Sequence, residues 1–240
     1  MKPTFSKYIT MRLQLTNVFQ LLIYMRLACS CSSSSANTRF QELPEVHGTK
    51  FYYFGYGSNM LSSRIHINNP TAVKIGPALL HNFRLDFAQF TQRWKGAVGT
   101  IVPTPDAETW GTLWEIDLVN LPDIDNQEGV HLGTYVPLTV NVELRNRTTL
   151  PARCYHLVEQ PATNLHNMVW DQVPDARQPS KTYLQCLVKG SIESGIPNEY
   201  VQFLQAIRHN GRVAKGLEEK LQLAAVELLQ QQEKNLLNGD

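Results

Sequence analysis

The chain has 240 residues, 42% of them hydrophobic and 18% charged, with a formal net charge of +1. That supplies a core for one domain with extensions or for two small domains, and it gives no electrostatic case for nucleic acid or an anionic membrane surface as partner. No run of roughly 18 uninterrupted apolar residues occurs, so no membrane span is expected.

The first 49 residues differ from the rest. No acidic residue precedes Glu42, whereas Lys2, Lys7, Arg12, Arg26 and Arg39 are basic, residues 13–27 are fairly apolar, and Ser32 to Ser35 form a low-complexity tract. Three readings stand: a transit peptide, a signal peptide whose apolar run Arg26 interrupts, or a dispensable extension, since Met11 and Met25 could each start a shorter product. A cytoplasmic location is the expectation, with the two targeting readings beside it. The organisation predicted is a leader over 1–49, a catalytic domain over 50–212 and a C-terminal helix over 213–240. Cys29 and Cys31 lie in the leader, Cys154 in a strand-like run and Cys186 in a helix-like one. Their spacing suits neither a disulfide framework nor zinc, and buried or incidental thiols are expected.

The first predicted strand runs from Lys50 through Phe51, Tyr52, Tyr53 and Phe54, and it breaks at Gly55 and Gly57. Two glycines around Tyr56 weaken a strand, so they point to a sharp turn or a close backbone approach. Ser58 and Asn59 then read as helix caps before a short helical turn over 60–65. Such a strand–glycine–helix junction presents N–H groups suited to a carboxylate. Further strands are predicted over 78–87, over 98–102 with an end at Pro103 and Pro105, and over 110–118. Two more follow over 135–144, with Val136, Leu138, Val140 and Val142 on one face, and over 150–158.

A helical piece with Asn120 as cap and Pro122 early in it stops at Gly129, which leaves Glu128 at its end. A loop over 156–180 leads to helices over 181–193, 197–209 and 216–237, the last with Leu217, Leu221, Ala224 and Leu228 in one stripe. Strands without βαβ spacing predict an α+β fold: a small mixed β-barrel of about five to six strands with flanking helices.

Tyr53-Phe54-Gly55-Tyr56-Gly57-Ser58-Asn59-Met60 and Gln127-Glu128-Gly129-Val130 together carry a resemblance to the γ-glutamylcyclotransferases, which release 5-oxoproline from γ-glutamyl amino acids. Arg64-Ile65-His66, Asn69-Pro70, residues 83–87 and residues 110–114 also look like the family pattern. The resemblance spans residues 51–211, and the ordered set is far more specific than any one motif.

The resemblance implies Glu128 as the catalytic acid/base, and Tyr53, Phe54, Gly55, Tyr56, Gly57 and Ser58 as the substrate-binding loop. It implies Tyr183, Tyr135 and Tyr155 as pocket tyrosines, although each also reads as a core aromatic. Gly55 departs from members that carry Ala there. The substrate implied is a small γ-glutamyl amino acid or dipeptide, with no cofactor and no metal, and a homodimer is expected from the resemblance alone. By position alone, a helix-end carboxylate in a dry site has a raised pKa, as a base acting on an ammonium group requires, whereas a solvated Glu beside a glycine stop is the plainer reading. His66, His81, His131, His156 and His166 lack metal-ligand spacing, and Met60 stands where a nucleophile elbow after Ser58 would need glycine. Relatives acting on γ-glutamylamines or glutathione, and a non-catalytic binding module, are the competing expectations.

Overall fold

The computed structural model of the chain describes residues 40–229. The leader before residue 40, with Cys29 and Cys31, and the last part of the expected C-terminal helix lie outside the described residues. Residues 40–43 form a turn closed by the Leu43 N–H donating to the Phe40 carbonyl, and a separate compact unit begins at Pro44.

Six strands form one sheet: β1 (Val46–His47), β2 (Lys50–Gly55), β3 (Val73–Thr91), β4 (Gly96–Asp117), β5 (Tyr135–Leu144) and β6 (Thr149–Leu157). The spatial order is β1-β2-β4-β3-β5-β6, and β6 returns to pair in parallel with β2 at Tyr53 and Arg153. That pairing closes a five-stranded mixed barrel, the α+β architecture expected from the sequence, with β1 as an added strand. Closure places Phe51, Phe54, Leu113, Trp114, Ile116, Val142 and Cys154 in a fully buried core.

Two corrections concern strand limits. The expected strands over 98–102 and 110–118 are one strand, β4, running past Pro103 and Pro105. Its pairing with β3 passes from Phe83–Pro103 to His81–Glu108, so a bulge holds residues 104–107 opposite Asn82. Both prolines are exposed at that bulge, where a missing N–H disturbs the ladder least. On β5, Val140 and Val142 are buried, but Val136 is 39% exposed, so the expected apolar face is only half covered.

Packed structure also precedes residue 50, where the catalytic domain was expected to begin. Glu45 is fully buried, its carbonyl accepts from Tyr52 N–H at 3.0 Å, and its carboxylate takes Thr139 Oγ1 at 2.8 Å and Arg153 Nη1 at 3.5 Å. Arg153 also holds Asp125 at 2.7 and 3.0 Å, which ties β1, β6 and the helix carrying Asp125 together.

The helices are α1 (Ser62–Ile65), α2 (Leu121–Gln127), α3 (Lys181–Ser194), α4 (Asn198–Ala206) and α5 (Lys215–Lys220). Ser180 caps α3 by accepting from Tyr183 N–H at 3.1 Å, and Gly195, at φ 72°, ends it. Gly190 lets α3 press on the turn after β2, since a Cβ there would sit 2.6 Å from Leu61 N. Helix α5 stops at Lys220, well before the expected end at residue 237. Gln222 turns left-handed at φ 54°, the Leu223 N–H returns to the Glu218 carbonyl, and Lys189 Nζ takes the Leu221 and Gln222 carbonyls. Leu221 and Leu228 are buried, but Ala224 is exposed, so the stripe is not helical. Among the described residues no helix is long and apolar enough to cross a membrane.

The segment over 158–180 is not an open loop. It contains three short 3-10 turns, buries Leu165 and Val173, and sends Arg177 Nη2 to the fully buried Asp86 at 2.5 Å.

Candidate active site

A cavity of about 210 Å³ opens where the end of β2, the turn over Ser58–Met60, the end of α2 and the start of α3 converge. Tyr53, Phe54, Tyr56, Gly57, Ser58, Glu128, Tyr135, Tyr155 and Tyr183 all line it. Nine of the ten residues singled out by sequence thus face one space. The exception is Gly55, which is absent from the lining. A Cβ there would meet the Asn59 backbone at 3.3 Å, so the glycine serves the turn behind the wall. The segment over 158–180 contributes no lining residue either.

Glu128 follows α2 directly, and its N–H still bonds the Ile124 carbonyl at 2.9 Å. The next residue, Gly129, is left-handed at φ 67° and turns the chain away. The carboxylate accepts from Asn59 Nδ2 at 3.4 Å and from Gln127 Nε2 at 3.3 Å. Burial pushes its pKa up to about 7; the Arg64 charge and the Gln127 hydrogen bond pull down, and Asp125 pushes up. A carboxyl poised there is able both to take and to return a proton near neutral pH.

The tyrosines frame this carboxyl. Tyr53 accepts from Asn59 Nδ2 at 2.9 Å, Tyr56 donates to the Tyr155 carbonyl at 2.7 Å, and Tyr155 donates to Asp125 Oδ1 at 2.5 Å. Tyr135 donates to the Gly99 carbonyl at 3.4 Å. Burial raises all four hydroxyl pKa values, so they stay protonated. The Tyr183 oxygen accepts from Gly99 N–H at 2.9 Å. Burial raises this hydroxyl too, against backbone hydrogen bonds from Gly99 and Ser58.

Gly57 is not a left-handed position, with φ −106°. It is favoured by contact, because a Cβ there would stand 3.0 Å from Tyr183 Oη and push on that hydroxyl.

Two expected caps do different work. Asn120 caps no helix through its side chain, which instead donates to Asp123 Oδ2 at 3.2 Å. Asn59 makes no capping bond; it is 6% exposed and bridges Tyr53 to Glu128. Asn59 and Arg64 both line the cavity and were not among the site residues read from sequence. Arg64 appeared there only as part of a motif, and only its burial draws attention to it.

A closed mixed barrel with a buried carboxyl in an aromatic cavity has the form of a small-barrel enzyme. The sequence pattern of the AIG2-like family matches residues 108–204. The chain is 36% identical to the γ-glutamylcyclotransferase of Bos taurus, over 77% of this chain and 94% of that protein, and 36% identical to that of Mus musculus, over 72% and 88%. A solved structure of a γ-glutamyl cyclotransferase superposes with a TM-score of 0.62 at 34% identity, covering 72% of this chain and 98% of that one. The chain belongs to the γ-glutamylcyclotransferase family.

Proposed function

We propose that this enzyme converts a γ-glutamyl amino acid to 5-oxoproline and the free amino acid, with Glu128 as its acid/base. The observation that carries the reading is the Glu128 carboxyl, titrating near 7 in a cavity walled by tyrosines. Family membership supports the substrate class.

The substrate holds both reacting groups. Glu128 takes a proton from the α-ammonium, and the freed nitrogen lone pair attacks the γ-carbonyl carbon. The C–N ring bond forms as the carbonyl electrons move to oxygen. As that oxyanion collapses, Glu128 returns its proton to the amide nitrogen of the leaving amino acid, and the extra proton on the ring nitrogen then passes by way of Glu128 to the freed amine, which departs as an ammonium. No water enters and no covalent enzyme intermediate forms. Holding amine and carbonyl together is worth several kcal/mol, since oriented intramolecular reactions reach effective molarities of about 10⁵ M or more.

Tyr183 is the donor suited to the oxyanion. Its oxygen already accepts the Gly99 N–H, which leaves its own proton for the cavity and strengthens it as a donor. The loop over 53–58 shapes the pocket through Tyr53, Phe54, Tyr56 and Gly57, with Tyr135 and Tyr155 opposite. The expectation of a cytoplasmic homodimer goes with this reading; cell fractionation and sedimentation test those two parts.

The test of Glu128 is the Glu128→Gln variant assayed on γ-glutamyl-L-alanine. A fall of about 10² or more with the fold intact is expected. Full activity in that variant would overturn the role.

A further inference from the structure

Arg64 is 5% exposed, and its Nε and Nη1 have no hydrogen-bond partner. No carboxylate among the described residues lies within ion-pair distance of it. A buried guanidinium without an ion-pair partner is costly for a fold to keep. Arg64 lines the cavity, and its charge acts on Glu128. On the same wall Asn59 Oδ1 is likewise buried and unpartnered. An unpartnered guanidinium, a free acceptor and a carboxyl together match an α-amino acid head: carboxylate on Arg64, ammonium between Glu128 and Asn59 Oδ1.

Arg93 lies in the β3–β4 connection, lines the same cavity and is exposed. Burial lowers its pKa first, and repulsion from Arg64 adds to that, so the two cations share one space. It forms no ion pair among the described residues. Two cations at different depths in a single cavity fit an anion with two charges better than an anion with one.

We propose that Arg64 binds the glutamyl α-carboxylate and Arg93 the carboxylate of the departing amino acid, which makes the pocket selective for γ-glutamyl α-amino acids over γ-glutamylamines. The inference rests on the cyclotransferase reading for the orientation of the substrate. It adds Arg64 and Asn59 as head-group contacts and Arg93 as the residue that reads the leaving group. Lysine at position 64 would keep charge but not the planar fork.

The test is titration calorimetry with the full-length chain and two inert probes. Glutaryl-L-alanine is γ-glutamyl-L-alanine without its α-amine, so it keeps both carboxylates and cannot cyclise. Glutaryl-ethylamide also lacks the second carboxylate. The native protein should bind glutaryl-L-alanine about tenfold more tightly, and added salt should shrink the gap. Arg93→Gln, a change at an exposed site, should bring the two probes within about twofold by weakening only glutaryl-L-alanine. Arg64→Gln should weaken both by about tenfold or more. Its melting midpoint should not fall, since it removes an unpaired buried charge. A preference that survives Arg93→Gln, or unchanged binding in a folded Arg64→Gln, overturns the inference. Turnover of γ-glutamyl-L-alanine is measured alongside. Turnover with the wrong probe pattern sinks this inference and leaves the function standing; the right pattern without turnover does the reverse.

Discussion

The Tyr183 hydroxyl oxygen lies 2.9 Å from Gly99 N, and a Cβ on Gly57 would stand 3.0 Å from that same oxygen. One phenol thus joins α3, β4 and the glycine turn, with Trp94 packed edge-on to its ring at 4.9 Å.

Two substitutions probe that contact. Tyr183→Phe leaves the buried Gly99 N–H without its partner and should cost about 1–3 kcal/mol. Gly57→Ala crowds the hydroxyl and should lower both stability and turnover, whereas Ser58→Ala keeps the backbone and should change little. Phenylalanine has no oxygen to crowd, so the double variant should lose less than the sum by at least about 0.5 kcal/mol. Strict additivity in denaturant titrations would mean the contact is absent.

Glu128 links stability to pH. Its pKa rises from 4.5 to about 7 on folding, so the folded state holds the proton more tightly. That stabilisation is complete below the unfolded value and is lost as pH rises through the folded one. Glu128→Gln, permanently neutral, should match the native protein near about pH 4 and exceed it near about pH 8 by roughly 1–3 kcal/mol. Turnover should fall as pH drops below about 7, because the base must be ionised. A stability difference that does not grow with pH would contradict the burial of this carboxylate.

Removal of Glu45 should hurt the barrel. A chain beginning at Lys50 loses β1 and one of the two carboxylates on Arg153, a cost on the order of 3 kcal/mol. Its melting midpoint should drop by about 6–12 °C, while a chain beginning at Phe40 keeps the full value. Equal midpoints would show that Glu45 and Arg153 do not support the fold.

The strongest local signals were legible in the sequence. The aromatic run into Gly55 and Gly57 is β2 and its turn, Pro122 and Gly129 bracket α2, and β6 covers most of the strand expected over 150–158. Long-range effects hid the rest. Pro103 and Pro105 read as a strand end because a bulge tolerates them only when Asn82 stands opposite. Glu45 read as part of the leader because its partner Arg153 is far along the chain. The last helix read too long because Lys189, from α3, takes the Leu221 and Gln222 carbonyls just past its end. In the cavity, the tyrosines and Glu128 carried recognisable neighbours. Asn59 matched a cap and Arg64 an ordinary helix charge until burial showed them inside.

Turnover of γ-glutamyl-L-alanine in ¹⁸O-labelled water tests the central claim most directly. Intramolecular closure predicts 5-oxoproline and free alanine in equal amounts, neither carrying label from solvent. Glutamate with one ¹⁸O in its γ-carboxylate would mean that water, and not the α-amine, attacks the carbonyl, and would contradict the mechanism.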